Sequence, residues 1–296
     1  MKIFFSHLYN ATKVAFDTTR KALAVAASLL EQPIAGVELV EPAPLTTDEV
    51  ELAHHRDYIL ALIQGTPAWM ARSNGIGWDE DLFTAVLHSN GGLRDAVLWA
   101  LLQRQHAGSL SSGLHHAKST SGNGYCTING LAIAAIVALR NGAKRVLILD
   151  LDAHCGGGTA SIIEGIAGIE QVDVSVSSFD RYENTDNATL VISSGETYLG
   201  DVSDALAAIV DPAQIDVVIY NAGMDPHHQA GGVQGITTAV LAERERMVFE
   251  WAGRHGLPVA WTLAGGYQGP SLGMDGVVDL HRLTIEAAMA ATTASA

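Results

Sequence analysis

The run Arg145-Val-Leu-Ile-Leu-Asp150 is apolar without alternation. That is the pattern of a parallel strand covered on both faces, not of one with a wet side. Asp216-Val-Val-Ile-Tyr220 and Pro258-Val-Ala-Trp-Thr-Leu263 repeat it, residues 172–177 give a shorter version, and residues 1–5 read as a first strand. Helical stretches separate these runs. Thr46 and Glu49 make a capping box that opens a helix to about Ile63, halted at Gly65-Thr-Pro67. Further helices are expected over 82–102, with Gly91-Gly92 weakening its middle, over 130–140, over 202–210 and over 237–254. Asn141-Gly142 is a good stop signal for the second of these. Residues 287–296 are rich in Ala and Thr and read as a frayed end. Strands alternating with helices imply an α/β fold, a single domain over 1–296 with a mostly parallel central sheet flanked by helices on both faces.

Composition narrows the partners. Apolar residues make up 48% of the 296, enough for a sizeable core. The formal charge of −15 repels phosphate backbones, so no nucleic acid is expected as a partner, and it mildly favours cationic ligands. Two cysteines, Cys126 and Cys155, rule out a disulfide framework or a paired-thiolate metal site. The start does not read as a secretory leader, and no apolar run nears the roughly 20 residues of a membrane span. A soluble, cytoplasmic protein without a membrane partner is expected.

Three strands run straight into unusual polar residues. The first ends in Asp150-Leu-Asp152-Ala-His154-Cys-Gly-Gly-Gly158, the second in Asn221-Ala-Gly-Met-Asp225, the third in Leu263-Ala-Gly-Gly-Tyr267. Ligands of open parallel sheets bind at the carboxyl ends of strands. Asp152, His154 and Asp225 meeting there give two carboxylates and an imidazole. That donor set without thiolate suits zinc, or iron(II), and leaves a coordination position open for catalysis. An aspartate after a strand is often only the cap of the next helix, but a joint Asp-x-Asp-x-His, a second Asp and a Gly-Gly-Tyr argue against that reading. His115-His116 stands in a Gly/Ser-rich loop outside any helical pattern, whereas His54-His55 and His227-His228 read as helix or surface decoration.

His115-His116-Ala117, Gly124-Tyr125-Cys126 with Asn129, Asp150-x-Asp152-x-His154-x-Gly156, Ala222-Gly223-x-Asp225-Pro226 and Gly265-Gly266-Tyr267 occur in that order. Together they resemble the histone deacetylase family, which includes acetylpolyamine amidohydrolases and bacterial deacylases, with Ser112-Gly-Leu-His-His closer to its bacterial and class IV-like branches. The resemblance implies an arginase/deacetylase-like fold and a zinc-dependent hydrolase that removes an acyl group, acetyl above all, from an acylated lysine or small amine. It implies Asp152, His154 and Asp225 as ligands of one zinc and His115 and His116 as the acid/base pair. Asp150 would orient His115, and Tyr267 would stabilise the oxyanion. Gly124, Tyr125 and Phe179 would line the substrate tunnel. A structural potassium near Asp150, Asp152 and Ser175 is also implied.

The chain departs from that pattern at Cys155, where many members have a second histidine, and at Gly157, where many have an Asp or Asn that contacts the second histidine. The expectation is that His116 lacks its orienting partner. Two other readings compete. An arginase-like binuclear ureohydrolase would need a carboxylate where Gly156 stands, and a non-catalytic binder of acylated amines would keep the pocket and lose turnover.

Overall fold

Along Val146–Asp150 (β4) every side chain is buried, but the chain alternates between two cores. Val146 and Ile148 join one apolar cluster, Leu147 and Leu149 the other. This two-sided burial is why the strand reads as an unbroken apolar run. The computed structural model describes residues 1–14 and 17–294. The remaining strands are β1 (Lys2–Phe4), β2 (Glu38–Val40), β3 (Ala107–Ser109), β5 (Ile169–Ser175), β6 (Ala188–Ile192), β7 (Val217–Gly223) and β8 (Val259–Ala264). Among the described residues they form one sheet in the order β2-β1-β3-β8-β7-β4-β5-β6, every pairing parallel. The helices are α1 (Asp17–Glu31), α2 (Thr47–Val50), α3 (Arg56–Gln64), α4 (Ala68–Ala71), α5 (Leu82–Gln103), α6 (Gly130–Arg140), α7 (Gly157–Ile163), α8 (Tyr198–Ala207), α9 (Thr238–Arg254) and α10 (Met274–Ala294). Apolar residues of α3, α5 and α6 cover one face of the sheet, and those of α1, α8, α9 and α10 the other. Among the described residues, no helix is long and apolar enough to cross a membrane.

The order explains where a site forms. The chain leaves β3 and enters β4 three positions along the sheet, with β8 and β7 filling the gap later. Such a switch opens a crevice outside the carboxyl ends of the central strands. The register pairs Asp150 with Asn221 and Gly223 with Ala264, so the three polar strand ends are neighbours.

Four expectations change. The capping box at Thr46 is present, both bonds made, but α2 stops at Val50 and α3 starts afresh at Arg56. The break occurs because His54 turns inward: its Nδ1 lies 3.0 Å from the Lys118 carbonyl and its Nε2 accepts the Asn129 N–H at 2.8 Å. It is therefore an internal tie, not decoration, and His55 caps α3. The glycines at 91 and 92 do not interrupt α5. A side chain at either would collide with the backbone at Ala43 or with Tyr9, so they let the helix pack closely. The carboxyl end is helical through residue 294, not frayed, because Leu280, Ile285 and Ala288 of α10 are buried in the core. Each large aliphatic side chain buried this way contributes about 1.5–3 kcal/mol. Residues 295 and 296 lie outside the described residues.

Candidate metal centre and active site

Asp152 and His154 leave β4 in a tight turn, and Asp225 leaves β7 two residues past its end. The ligand atoms of the three lie within 4.8 Å of one another. His154 Nδ1 stands 3.2 Å from Asp152 Oδ1 and 3.1 Å from Asp225 Oδ2. Asp225 is fully buried, and its Oδ2 accepts no well-formed hydrogen bond. Its Oδ1 accepts from Ala153 N. Burial opposes ionisation of Asp225, and the neighbouring Asp152 raises its pKa further. Burial disfavours the charged form of His154, yet the two carboxylates outweigh it and push its pKa up to about 11. A proton is thus drawn to the spot where a divalent cation would satisfy the same carboxylates. An orphaned buried carboxylate oxygen facing an imidazole nitrogen fits a metal ion and is costly without one.

The turn is braced from behind. Arg244 of α9 is fully buried, pairs with Glu245 and donates through Nη1 to the Leu151 carbonyl at 3.1 Å. Gly265 sits against Asp225 so closely that any side chain there would occupy the carboxylate's place, and Lys21 donates to the Gly265 carbonyl. Asp150 is used up by three partners: His115 Nδ1 at 2.9 Å, Asn221 Nδ2 at 2.8 Å and the Asp152 N–H at 3.2 Å.

His115 and His116 lie ring against ring, their centroids 3.8 Å apart and their planes tilted by 37°. Their surroundings push them in opposite directions. Burial disfavours protonated His115, but Asp150 and Asp152 together raise its pKa to about 9. Burial and the adjacent His115 lower that of His116 to about 4. Two adjacent titratable groups driven apart in this way suit an acid and a base. The expected lack of a partner for His116 is overturned. Its Nδ1 lies 3.1 Å from Oδ2 of Asp180, a residue of the loop after β5 that the sequence did not single out. The only signal was an Asp directly after Phe179.

An open slot of roughly 450 Å³ leads down to these groups, with Gly124, Tyr125 and Phe179 in its walls beside His116, His154 and Tyr267. Phe179 meets His116 edge-on at 5.0 Å and His154 at 5.9 Å. Tyr125 and Phe179 are the exposed aromatics at its mouth, 40% and 45% accessible. The Tyr267 backbone is held by the Ala230 carbonyl at 2.9 Å. His227 is buried, not a surface residue, and His228 is half-buried: His227 accepts the Gln229 N–H, and His228 Nδ1 lies 2.9 Å from the Ile236 carbonyl, shaping the loop after Asp225. Ser175, named for a potassium site, donates to Asp173 at 2.6 Å. Asp173, a fully buried carboxylate opposite Asp150 on β5, was also missed; it reads in the sequence only as a polar break in an apolar run. Cys155 is buried and packs its thiol against the Ser177 carbonyl, a structural role.

Comparison with known proteins places this geometry. The family model described as histone deacetylase domain matches residues 14–275. An uncharacterised protein of Picosynechococcus is similar at 33% identity over 227 residues, 74% of this chain and 75% of its own length. The acetoin utilization protein AcuC of Bacillus subtilis is similar at 30% identity, over 55% of this chain and 40% of the relative, so less than half of that relative is matched. The crystal structure of acetylpolyamine aminohydrolase from Burkholderia pseudomallei aligns with a TM-score of 0.79 over 98% of this chain and 99% of that one, at 19% identity, a likeness of fold.

Proposed function

The chain belongs to the histone deacetylase family, and on that footing we propose that it hydrolyses the amide of an acylated lysine or small amine. We assign Asp152, His154 and Asp225 to one divalent ion, zinc or iron(II). The observation that carries this reading is their convergence behind a slot that His154 lines, with Asp225 Oδ2 facing His154 Nδ1 at 3.1 Å without a well-formed hydrogen bond. When bound, such an ion lowers the pKa of its water to about 7 and polarises a carbonyl oxygen.

The chain's own residues supply the rest. His116 turns Nδ1 to Asp180, which leaves Nε2 for the slot; burial keeps the ring neutral, ready to take a proton from the attacking water. His115, held through Nδ1 by Asp150, delivers a proton to the departing amine. The Tyr267 phenol, kept protonated by burial and by Asp225, donates to the oxyanion as the carbonyl carbon becomes tetrahedral. Tyr125 and Phe179 flank the chain that carries the acyl group, and Gly124 leaves room for it.

Among the described residues that line the slot, none is Asp or Glu. A second ammonium finds no counter-charge there, which favours a lysine side chain or monoamine over a polyamine. The test is a panel of acyl-lysine peptides and acetylated amines of varied acyl length, with and without chelator. Chelator-sensitive turnover supports the reading. Tight hydroxamate binding with no turnover on any substrate would make the protein a binder instead.

A second group, His115, His116 and Asp152, also lies within ligand reach of one point and favours a binuclear, ureohydrolase-like reading. Both histidines there already spend Nδ1 on carboxylates. Two metal ions per chain on elemental analysis would favour this alternative.

A further inference from the structure

His116 is held by a carboxylate that reaches it from the other side of the turn. Asp180 Oδ2 lies 3.1 Å from His116 Nδ1 and accepts the Gly158 N–H at 3.0 Å. Its Oδ1 lies 3.5 Å from the Lys118 ammonium. The Asp180 side chain is only 5% exposed. Its backbone takes the left-handed conformation, φ 58°, which Asp and Asn tolerate better than other non-glycine residues. Gly157 completes the arrangement. A Cβ at 157 would collide with the Asp180 carbonyl and come within 3.0 Å of its carboxyl group. Position 157 and position 180 therefore compete for one space, and a side chain at 157 would displace the Asp180 that His116 now uses.

We infer that Asp180 is the positioning residue of His116, seated in the space that Gly157 leaves open, and that it fixes the tautomer in which Nε2 of His116 faces the substrate. The inference rests on the hydrolase reading for its kinetic consequence and on geometry alone for the tautomer. An imidazole whose Nδ1–H is held by a carboxylate presents its other nitrogen as an acceptor in a fixed direction. The same loop places Phe179 against the His116 ring edge, so the slot wall and the group that orients the base are adjacent residues.

The test compares zinc-loaded wild-type protein with Asp180→Gly and Asp180→Asn. Glycine removes the carboxylate and relieves the positive-φ constraint, so this variant folds. Asparagine keeps the backbone conformation and places its amide oxygen where Oδ2 stands, accepting from both His116 and Gly158. The expected results are a fall in kcat on the order of 100-fold for Asp180→Gly, with KM and zinc content unchanged, and recovery of most of that loss in Asp180→Asn. The second readout needs no turnover. In proton NMR of the wild-type protein, the His116 Nδ1–H, assigned by its loss in His116→Ala, resonates far downfield; it is absent from Asp180→Gly and present in Asp180→Asn. A kcat within twofold of wild type in Asp180→Gly, or a downfield proton that persists there, overturns the inference. Wild-type protein that turns over no substrate yet loses the proton in Asp180→Gly retains the positioning role and rejects the hydrolase reading.

Discussion

Asp150 Oδ2 lies 2.9 Å from His115 Nδ1, with the carboxylate fully buried and the imidazole nearly so. Burial alone would strip His115 of its proton, and the carboxylates of Asp150 and Asp152 reverse that, to about 9. Asp150→Asn removes the larger of the two charge effects. The pKa of His115 then falls, so the alkaline limb of the kcat profile moves to lower pH, and kcat drops by about 100-fold. Zinc content measured beside the rates separates this outcome from loss of metal.

Tyr267→Phe deletes one hydrogen-bond donor and little else. A donor to a developing oxyanion is worth about 2.7–4 kcal/mol of barrier, so kcat falls by about 10²–10³. Steady-state kinetics with zinc retained is the check, and an unchanged rate removes Tyr267 from the proposed chemistry.

Gly124 has a positive φ of 49°, and an added Cβ would run into His116 and approach Phe179 Cε1 at 2.8 Å. Gly124→Ala therefore strains the backbone by about 1 kcal/mol or more and narrows the slot. The expected result is a KM raised for longer acyl chains more than for acetyl, with a modestly lower melting temperature. The clash with His116 lowers kcat alike for every acyl length, so the wall is read from KM alone: a KM change equal across acyl lengths would remove Gly124 from the slot wall.

His54 carries an acid-sensitive part of the stability. Its Nε2 accepts the Asn129 N–H, so only the neutral ring serves, and burial lowers its pKa from 6.5 to about 4. The unfolded chain takes up the proton first as pH falls. The contribution is full above about pH 6.5 and drains away through pH 4, about 3 kcal/mol in all. His106 and His116 share this direction. In denaturant melts at several pH values, His54→Leu is less stable at pH 7.5, and its loss of stability between 6.5 and 4 is shallower by about one proton. An unchanged slope would show that His54 does not titrate as described.

Much of this was legible in the chain. β4, β7 and β8 read clearly because strands buried on both faces are uninterrupted apolar runs, and each ends in polar residues with no role in packing. Asp152, His154 and Asp225 followed from those ends. The strands β2 and β3, three residues each, carry no measurable period. α10 hid behind an Ala/Thr composition that serves a packed helix as well as a loose tail. His54 bonds to partners 64 and 75 residues away, and Asp180 to a histidine 64 residues back. Such ties depend on how loops meet after the sheet has formed, which no local pattern records. Gly157 looked like a missing partner because the space it vacates is visible only in three dimensions.

The account stands on one divalent ion shared by Asp152, His154 and Asp225. Its most direct test is elemental analysis of dialysed protein with zinc titration by calorimetry, in wild type and in Asp225→Ala. The predicted result is one tightly bound ion per chain, lost in Asp225→Ala while the fold persists by circular dichroism. Two ions per wild-type chain, or one ion still held tightly by Asp225→Ala, would contradict it.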